Sequence, residues 1–306
     1  MKKFIPYSTF LLLTACALSS MTSCKSDNKP VDKTIVADKA SIDSIVSLDK
    51  KELKGKIKGD VGALYFEDCG QKGSPVVFVH SFGGSTKHWQ AQVDHLKKDR
   101  RVITLDLRGH GQSDAPVNMD YSAASLASDI AAVVDSLKLE RFVLVGHSMG
   151  GAAAIAYAGA QPERVAGLLL CGTSGKSSQK EAKPIIASLE SKNYDKVMED
   201  YMKLLLTNAK PEVDSLERQG MRKFSKETNL SIIKAIFKYD PLPDLTRYAG
   251  PKLIVSTPEE NQPNSLAAQM PTIPHKIIAG TSHWSQMDKP DDFNKILDDF
   301  LKTIYK

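Results

Sequence analysis

The run Gly146-His147-Ser148-Met149-Gly150-Gly151 sets a serine between two glycines, directly after the apolar stretch Phe142-Val143-Leu144-Val145 and directly before the alanine-rich stretch Ala152–Ala160. Such a setting suits a nucleophile. A strand-to-helix turn tight enough to strain the serine exposes its hydroxyl, and the flanking glycines leave room where any side chain would collide. A serine hydroxyl is a poor nucleophile until a base takes its proton, and that base needs an orienting carboxylate. The chemistry implied is acyl transfer through a covalent serine intermediate. The bare Gly-x-Ser-x-Gly pattern is short, so its weight comes from the strand before it and the helix after it. Seven histidines are available to serve as the base.

A turn of this kind needs a sheet to stand on. Past Gly55, short β-branched or apolar runs ended by Gly, Ser or His alternate with longer stretches of helical period, the signature of βαβ units. Strands are predicted at Ala63–Glu67, Val76–His80, Arg101–Asp106, Phe142–Gly146, Val165–Cys171, Lys252–Ser256 and Lys276–Gly280. Several are apolar throughout, as a parallel sheet covered on both faces requires. Ser85 can cap a helix carrying Trp89, Val93 and Leu96; Leu126, Ile130, Val133 and Leu137 stripe another; Phe293, Ile296, Leu297, Phe300, Leu301 and Ile304 stripe the last. That last helix opens with Pro290, Asp291 and Asp292, which suit the positive end of a helix dipole. Between Gly175 and Tyr248 the alternation stops, and charged, helix-periodic sequence predicts three or four inserted helices. An insertion following a strand's C-terminal end sits over the crevice where open α/β sheets bind ligands, which makes it a lid candidate.

On these residues the chain resembles the α/β-hydrolase superfamily, over about residues 60–306 apart from the helical insertion. The resemblance implies an α/β fold: a mostly parallel central sheet flanked by helices, with a core in two parts, 55–174 and 249–306, interrupted by a helical cap at 175–248. It also assigns roles. His283, in Gly280-Thr281-Ser282-His283-Trp284, follows the last strand and precedes the last helix, where this superfamily carries its catalytic histidine. The acid usually ends the preceding strand in a Gly-x-x-Asp turn. The corresponding stretch here runs Leu253-Ile254-Val255-Ser256-Thr257-Pro258-Glu259-Glu260-Asn261, with Thr257 in the glycine position and no aspartate. Counting along the pattern puts Glu260 on the acid position, with Glu259 as the alternative. His80-Ser81-Phe82-Gly83-Gly84-Ser85 resembles the superfamily's oxyanion loop, so the N–H groups of Phe82 and Met149 are the expected donors to the oxyanion. Ser81 stands where glycine is usual; if that position needs positive φ, serine costs about 1 kcal/mol or more. Asp106-Leu107-Arg108-Gly109-His110-Gly111-Gln112-Ser113-Asp114 matches another landmark, a turn whose Asp, Arg and His satisfy buried backbone groups. His147 is expected to point away from the serine, and His88, His95 and His275 read as solvated.

Residues 1–23 carry two lysines, an interrupted apolar run from Phe4 to Leu18 and then small residues, too short for a spanning helix of about 20 apolar residues. The segment resembles bacterial lipoprotein signal peptides, which are cut before a cysteine that is then acylated. Leu13-Thr14-Ala15-Cys16 fits the cleavage box better. Met21-Thr22-Ser23-Cys24 fits the boundary better, because the chain turns polar at Lys25, and Cys24 is favoured. An ordinary secretory signal cut near Ala17 is the alternative. Residues 24–54, rich in Lys, Asp and Ser, read as a polar tether that reaches on the order of 30 Å as a coil.

Composition narrows the classes that remain. The 306 residues are 42% hydrophobic and 25% charged, enough for one large core. The formal net charge of +5, or +3 once Lys2 and Lys3 are removed, is no nucleic-acid footprint. Beyond the N-terminal segment only Cys69 and Cys171 remain, without ligand-spaced neighbours, which excludes a zinc ribbon or a disulfide scaffold. The expectation is a serine hydrolase, lipid-anchored in the cell envelope, acting on small or medium acyl esters and needing no metal or organic cofactor. A thioesterase, lactonase, C–C hydrolase or perhydrolase of the same fold, or a non-catalytic ligand-binding protein, are the alternatives. The expected partners are a small-molecule ester and, through the lipid anchor, the membrane.

Overall fold

The computed structural model describes residues 52–70 and 72–305. The signal-peptide reading of 1–23, the acylation candidates Cys16 and Cys24 and the tether as far as residue 51 lie outside the described residues.

The apolar runs form one sheet of eight strands: β1 Glu52–Gly59, β2 Gly62–Cys69, β3 Val76–Val79, β4 Val102–Leu105, β5 Phe142–His147, β6 Val165–Cys171, β7 Lys252–Ser256 and β8 His275–Ile277. Their order is β1-β2-β4-β3-β5-β6-β7-β8. β1 with β2 and β2 with β4 pair antiparallel, and every other pair is parallel. Strand sequence and cover agree. Along β3, Val77 and Val79 join the apolar cluster on one face, while Val76 and Phe78 pack with Trp89 and Phe293 on the other. A strand buried on both sides has no polar face to show, which is why β3, β5 and β6 read as continuous apolar runs.

Around the sheet lie α1 Gln90–Leu96, α2 Ala123–Ser136, α3 Met149–Ala160, α4 Gln179–Glu190, α5 Tyr194–Leu205, α6 Pro211–Met221, α7 Lys226–Lys238, α8 Leu242–Arg247, α9 Leu266–Gln269, α10 Ser285–Asp288 and α11 Pro290–Ile304. α1 and α11 cover one face through Val93, Leu96, Phe293, Leu297 and Leu301. α2 and α3 cover the other through Leu126, Ile130, Val133, Ala153 and Ala154. The insertion holds five helices, α4 to α8, rather than three or four, because α8 is a six-residue helix with Pro243 in its first turn, where proline costs nothing.

Two boundaries differ from expectation. β1 falls where a tether to 54 and a core from 55 are expected: Lys54, Lys56 and Lys58 alternate along it and conceal the inward-facing Ile57, and the first strand begins at Glu52. Lysines on an edge strand are a common guard against pairing with other chains. β8, the other edge, spans three residues instead of the expected Lys276–Gly280.

Candidate active site

Ser148 sits between β5 and α3 with φ 53° and ψ −116°, left-handed backbone that serine adopts only under constraint. The constraints are visible. Its N–H donates to the Cys171 carbonyl at the end of β6 (2.8 Å). A Cβ on Gly146 would lie 2.6 Å from the Gly150 carbonyl oxygen and from the Gly151 Cα, and one on Gly150 would lie 2.6 Å from the Val79 carbonyl oxygen. Both glycines are therefore required by close approach of α3 to β3 and β5. The N–H groups of Phe82 and Met149 have no acceptor within the described residues, although both residues are buried.

His283 follows β8 and precedes α10, and its Nδ1–H donates to Glu260 Oε1. A proton held on Nδ1 by a carboxylate leaves Nε2 free to act as base. Of the two neighbouring glutamates Glu260 is the one that reaches the imidazole; the Glu259 carboxylate does not. Glu260 is fixed in turn by a reciprocal clamp: the Thr257 N–H donates to Oε2 (2.9 Å), and the Glu260 N–H donates to Thr257 Oγ1 (3.3 Å). Thr257, where glycine was expected, thus has a use. So does Ser81. Its φ is not positive, the left-handed conformation falling on Gly83 (φ 79°), and its hydroxyl accepts the Trp284 indole N–H at 3.1 Å.

Ser148, Glu260 and His283 line one cavity of about 170 Å³. Cap residues Leu189, Met198, Leu205, Ile233 and Phe237 supply apolar walls, and Gln262 and Asn264 add polar ones. No lysine or arginine lines it among the described residues. A larger groove of about 800 Å³ between α2, α3 and α7 contains none of the three residues and is not the candidate site.

Several supporting groups escaped sequence reading. His147 points away from Ser148, as expected, but it is not idle: its Nε2–H donates to the His283 carbonyl (2.9 Å), and Gln286 Nε2 donates to its Nδ1 (3.2 Å). Burial and the nearby His283 keep its pKa well below the usual histidine range, so it stays neutral and holds this tautomer. Asp288 accepts from the Ser282 N–H (2.7 Å) and hydroxyl (2.5 Å), fixing the residue before His283. His88, read as solvated, is 4% exposed, because Glu217 of the cap closes over it. A lone histidine in a helical stretch gives no warning of a cap folding back on it. The Asp106 turn is as expected: its carboxylate accepts the Thr86 and Gln112 N–H groups (2.7 and 2.8 Å), and Arg108 pairs with buried Asp129. His95 is half-exposed beside Asp298, and His275 meets the Ser256 hydroxyl; neither lies near His283 in hydrogen bonding.

The family described as the alpha/beta hydrolase fold matches residues 74–290, most of the chain. The chain belongs to the α/β-hydrolase family. Among solved structures of this family, an esterase from Thermogutta terrifontis is 26% identical, with a TM-score of 0.70, over 83% of this chain and 100% of that one. The enol-lactonase from Burkholderia xenovorans LB400 is 25% identical, with the same TM-score of 0.70, over 81% and 99%. Among curated proteins, the dihydrolipoyllysine-residue acetyltransferase component of an acetoin cleaving system from Pseudomonas putida is 40% identical over 121 residues. That match spans 39% of this chain and 32% of the relative, about a third of its length.

Proposed function

We propose that this α/β hydrolase cleaves small or medium acyl carboxylic esters by a two-step acyl transfer. The observation that carries the reading is the single cavity shared by the strained Ser148 and the hydrogen-bonded His283–Glu260 pair. His283 Nε2 takes the Ser148 proton as Oγ attacks the ester carbonyl carbon. The tetrahedral oxyanion forms against the Phe82 and Met149 N–H groups, each such donor being worth about 2.7–4 kcal/mol in the transition state. The same imidazole proton passes to the departing alcohol, leaving an acyl-Ser148 ester. Water, deprotonated by His283, then releases the acid and restores the serine. Glu260 keeps the imidazole oriented and stabilises its charged form throughout.

Size and charge support the substrate class. A cavity of about 170 Å³ walled by apolar cap residues suits a short or medium acyl chain. With Glu260 the only charged lining residue among the described residues, and already committed to His283, the cavity suits a neutral substrate better than an anionic one. A lactone is an internal ester and would follow the same steps, so the similarity to an enol-lactonase favours the same chemistry. A series of p-nitrophenyl esters from acetate to palmitate tests the reading. We expect kcat/KM to peak between about two and eight acyl carbons, each methylene that fits adding up to about 0.8 kcal/mol; a maximum at palmitate would contradict it.

The same proposal has the body held at a bacterial envelope membrane by a lipid on Cys24, with Cys16 as the alternative and a secreted form as the fallback. Metabolic labelling with an alkyne-tagged palmitate separates these. Label lost in Cys24→Ser and kept in Cys16→Ser is the expected result, the reverse pattern moves the anchor to Cys16, and an unlabelled wild type removes the anchor.

A further inference from the structure

The buried charge-bearing pair that the mechanism leaves unused is Glu217 and His88. Glu217 lies on α6 and is 0% exposed; His88 is 4% exposed, in the turn Thr86–Trp89 that follows the oxyanion loop. Glu217 Oε1 stands 3.0 Å from His88 Nε2. Neither carboxyl oxygen nor His88 Nδ1 has an aligned hydrogen-bond partner among the described residues, which leaves the 3.0 Å approach as the close polar contact of the pair. A carboxyl group this fully buried and without an aligned partner is a costly feature and calls for a reason.

Its surroundings supply one. α6 and the residues after it grip the oxyanion loop at three further points. A Cβ on Gly220 would strike the Gly83 carbonyl oxygen, and one on Gly83 would lie 2.7 Å from Met221 Sδ. The Phe224 ring packs 5.6 Å from Phe82 and 4.8 Å from His110, centroid to centroid. From beneath, the His88 ring lies against Gly84, where an added Cβ would be 2.6 Å from Cε1 and Nδ1. The other end of α6 is tied to the histidine loop: Asp288, which holds Ser282, also accepts the Lys210 N–H (2.8 Å), and the His283 N–H donates to the Leu205 carbonyl at the end of α5 (3.0 Å).

We propose that Glu217 and His88 form a latch through which the cap holds the oxyanion loop in its working shape. Glu217 is a positioning residue; it touches neither the substrate nor the reacting atoms. This rests on the serine-hydrolase reading above. The ionisable groups facing the pair are His80, His110 and His147 from the sheet side and Asp288 from the end of α10. Burial and Asp288 hold the Glu217 carboxyl well above its usual range, while burial and His110 lower the His88 pKa to about 3. Both groups are therefore neutral at neutral pH; in the proposed latch the protonated carboxyl turns to donate to Nε2 across the 3.0 Å contact. An amide can make the same donation, which separates a latch from an ionised general base.

An oxyanion hole acts on the transition state and barely on bound substrate, so a slackened loop lowers kcat and leaves KM in place. Glu217→Leu is expected to lower kcat by about 10- to 100-fold at unchanged KM, and to weaken inhibition by a trifluoromethyl ketone by a similar factor. Glu217→Gln is expected to retain most of kcat with an unshifted pH profile. Gly220→Ala, which presses on Gly83 without touching the pair, is expected to resemble Glu217→Leu. Amide hydrogen exchange over residues 80–88 gives the comparison without turnover: faster exchange in Glu217→Leu than in Glu217→Gln supports the latch, and equal protection overturns it. Full kcat in Glu217→Leu, or a Glu217→Gln variant that loses activity with a shifted pH profile, also overturns it. A wild type that turns over no ester sinks the hydrolase reading instead, and the exchange comparison still decides the latch.

Discussion

Replacing Ser148 by alanine is expected to lower kcat for p-nitrophenyl butyrate by about a million-fold, the size seen when the nucleophile of a serine hydrolase is removed. What survives should come from the oxyanion donors and from substrate binding alone. The substitution deletes one oxygen from a side chain with no structural hydrogen bond among the described residues, while the Ser148 N–H bond to the Cys171 carbonyl is a backbone bond that alanine keeps. The φ of 53° is equally uncomfortable for alanine, so stability should change little. Burst kinetics in wild type and none in Ser148→Ala would tie the loss to acylation. Residual turnover above about one per cent in a contaminant-free preparation would mean that another group attacks the ester.

The second large effect belongs to the acid. Glu260→Gln is expected to cost about 10⁴-fold in kcat with little change in KM, as when an orienting carboxylate becomes an amide. The reason is the proton inventory. Glu260 accepts two hydrogen bonds, from His283 Nδ1 through Oε1 and from the Thr257 N–H through Oε2. A glutamine offers one acceptor oxygen and one NH2 group. If the oxygen stays with Thr257, the NH2 faces Nδ1 and draws the imidazole into the tautomer whose Nε2 carries the proton. That nitrogen can then accept nothing from Ser148. Glu259→Gln, at a carboxylate that does not reach His283, should stay within about threefold of wild type. An inverted outcome for the two variants would move the acid to Glu259.

Much of this site was legible in the residues, for a physical reason. A nucleophile on a strand-to-helix turn leaves local marks: an apolar strand, glycines at fixed offsets from the serine, and alanines that let α3 approach the sheet. His283 is singled out by its place between the last strand and the last helix, and the structure puts it in the cavity that Ser148 lines. Glu260 was harder, since two adjacent glutamates share one stretch and only the fold of the turn decides which faces the imidazole. The Thr257 clamp that decides it depends on local geometry that composition does not report. Contacts made across long stretches of chain were invisible. His147 to His283 joins residues 136 apart, and Glu217 to His88 joins the cap to a turn on the sheet. Nothing in either neighbourhood marks the partner. β1 is hidden for a different reason, since its lysines alternate with only Leu53 and Ile57 turned inward, too little pattern to read as a strand.

The central claim, that Ser148 is an activated nucleophile, is tested most directly by incubating the full chain with a fluorophosphonate probe and locating the adduct by peptide mass spectrometry. The account predicts one adduct per chain, on Ser148, formed by wild type, slowed severely by His283→Ala and absent from Ser148→Ala. Well-folded wild type that takes up no probe, or an adduct that persists in Ser148→Ala, would contradict it.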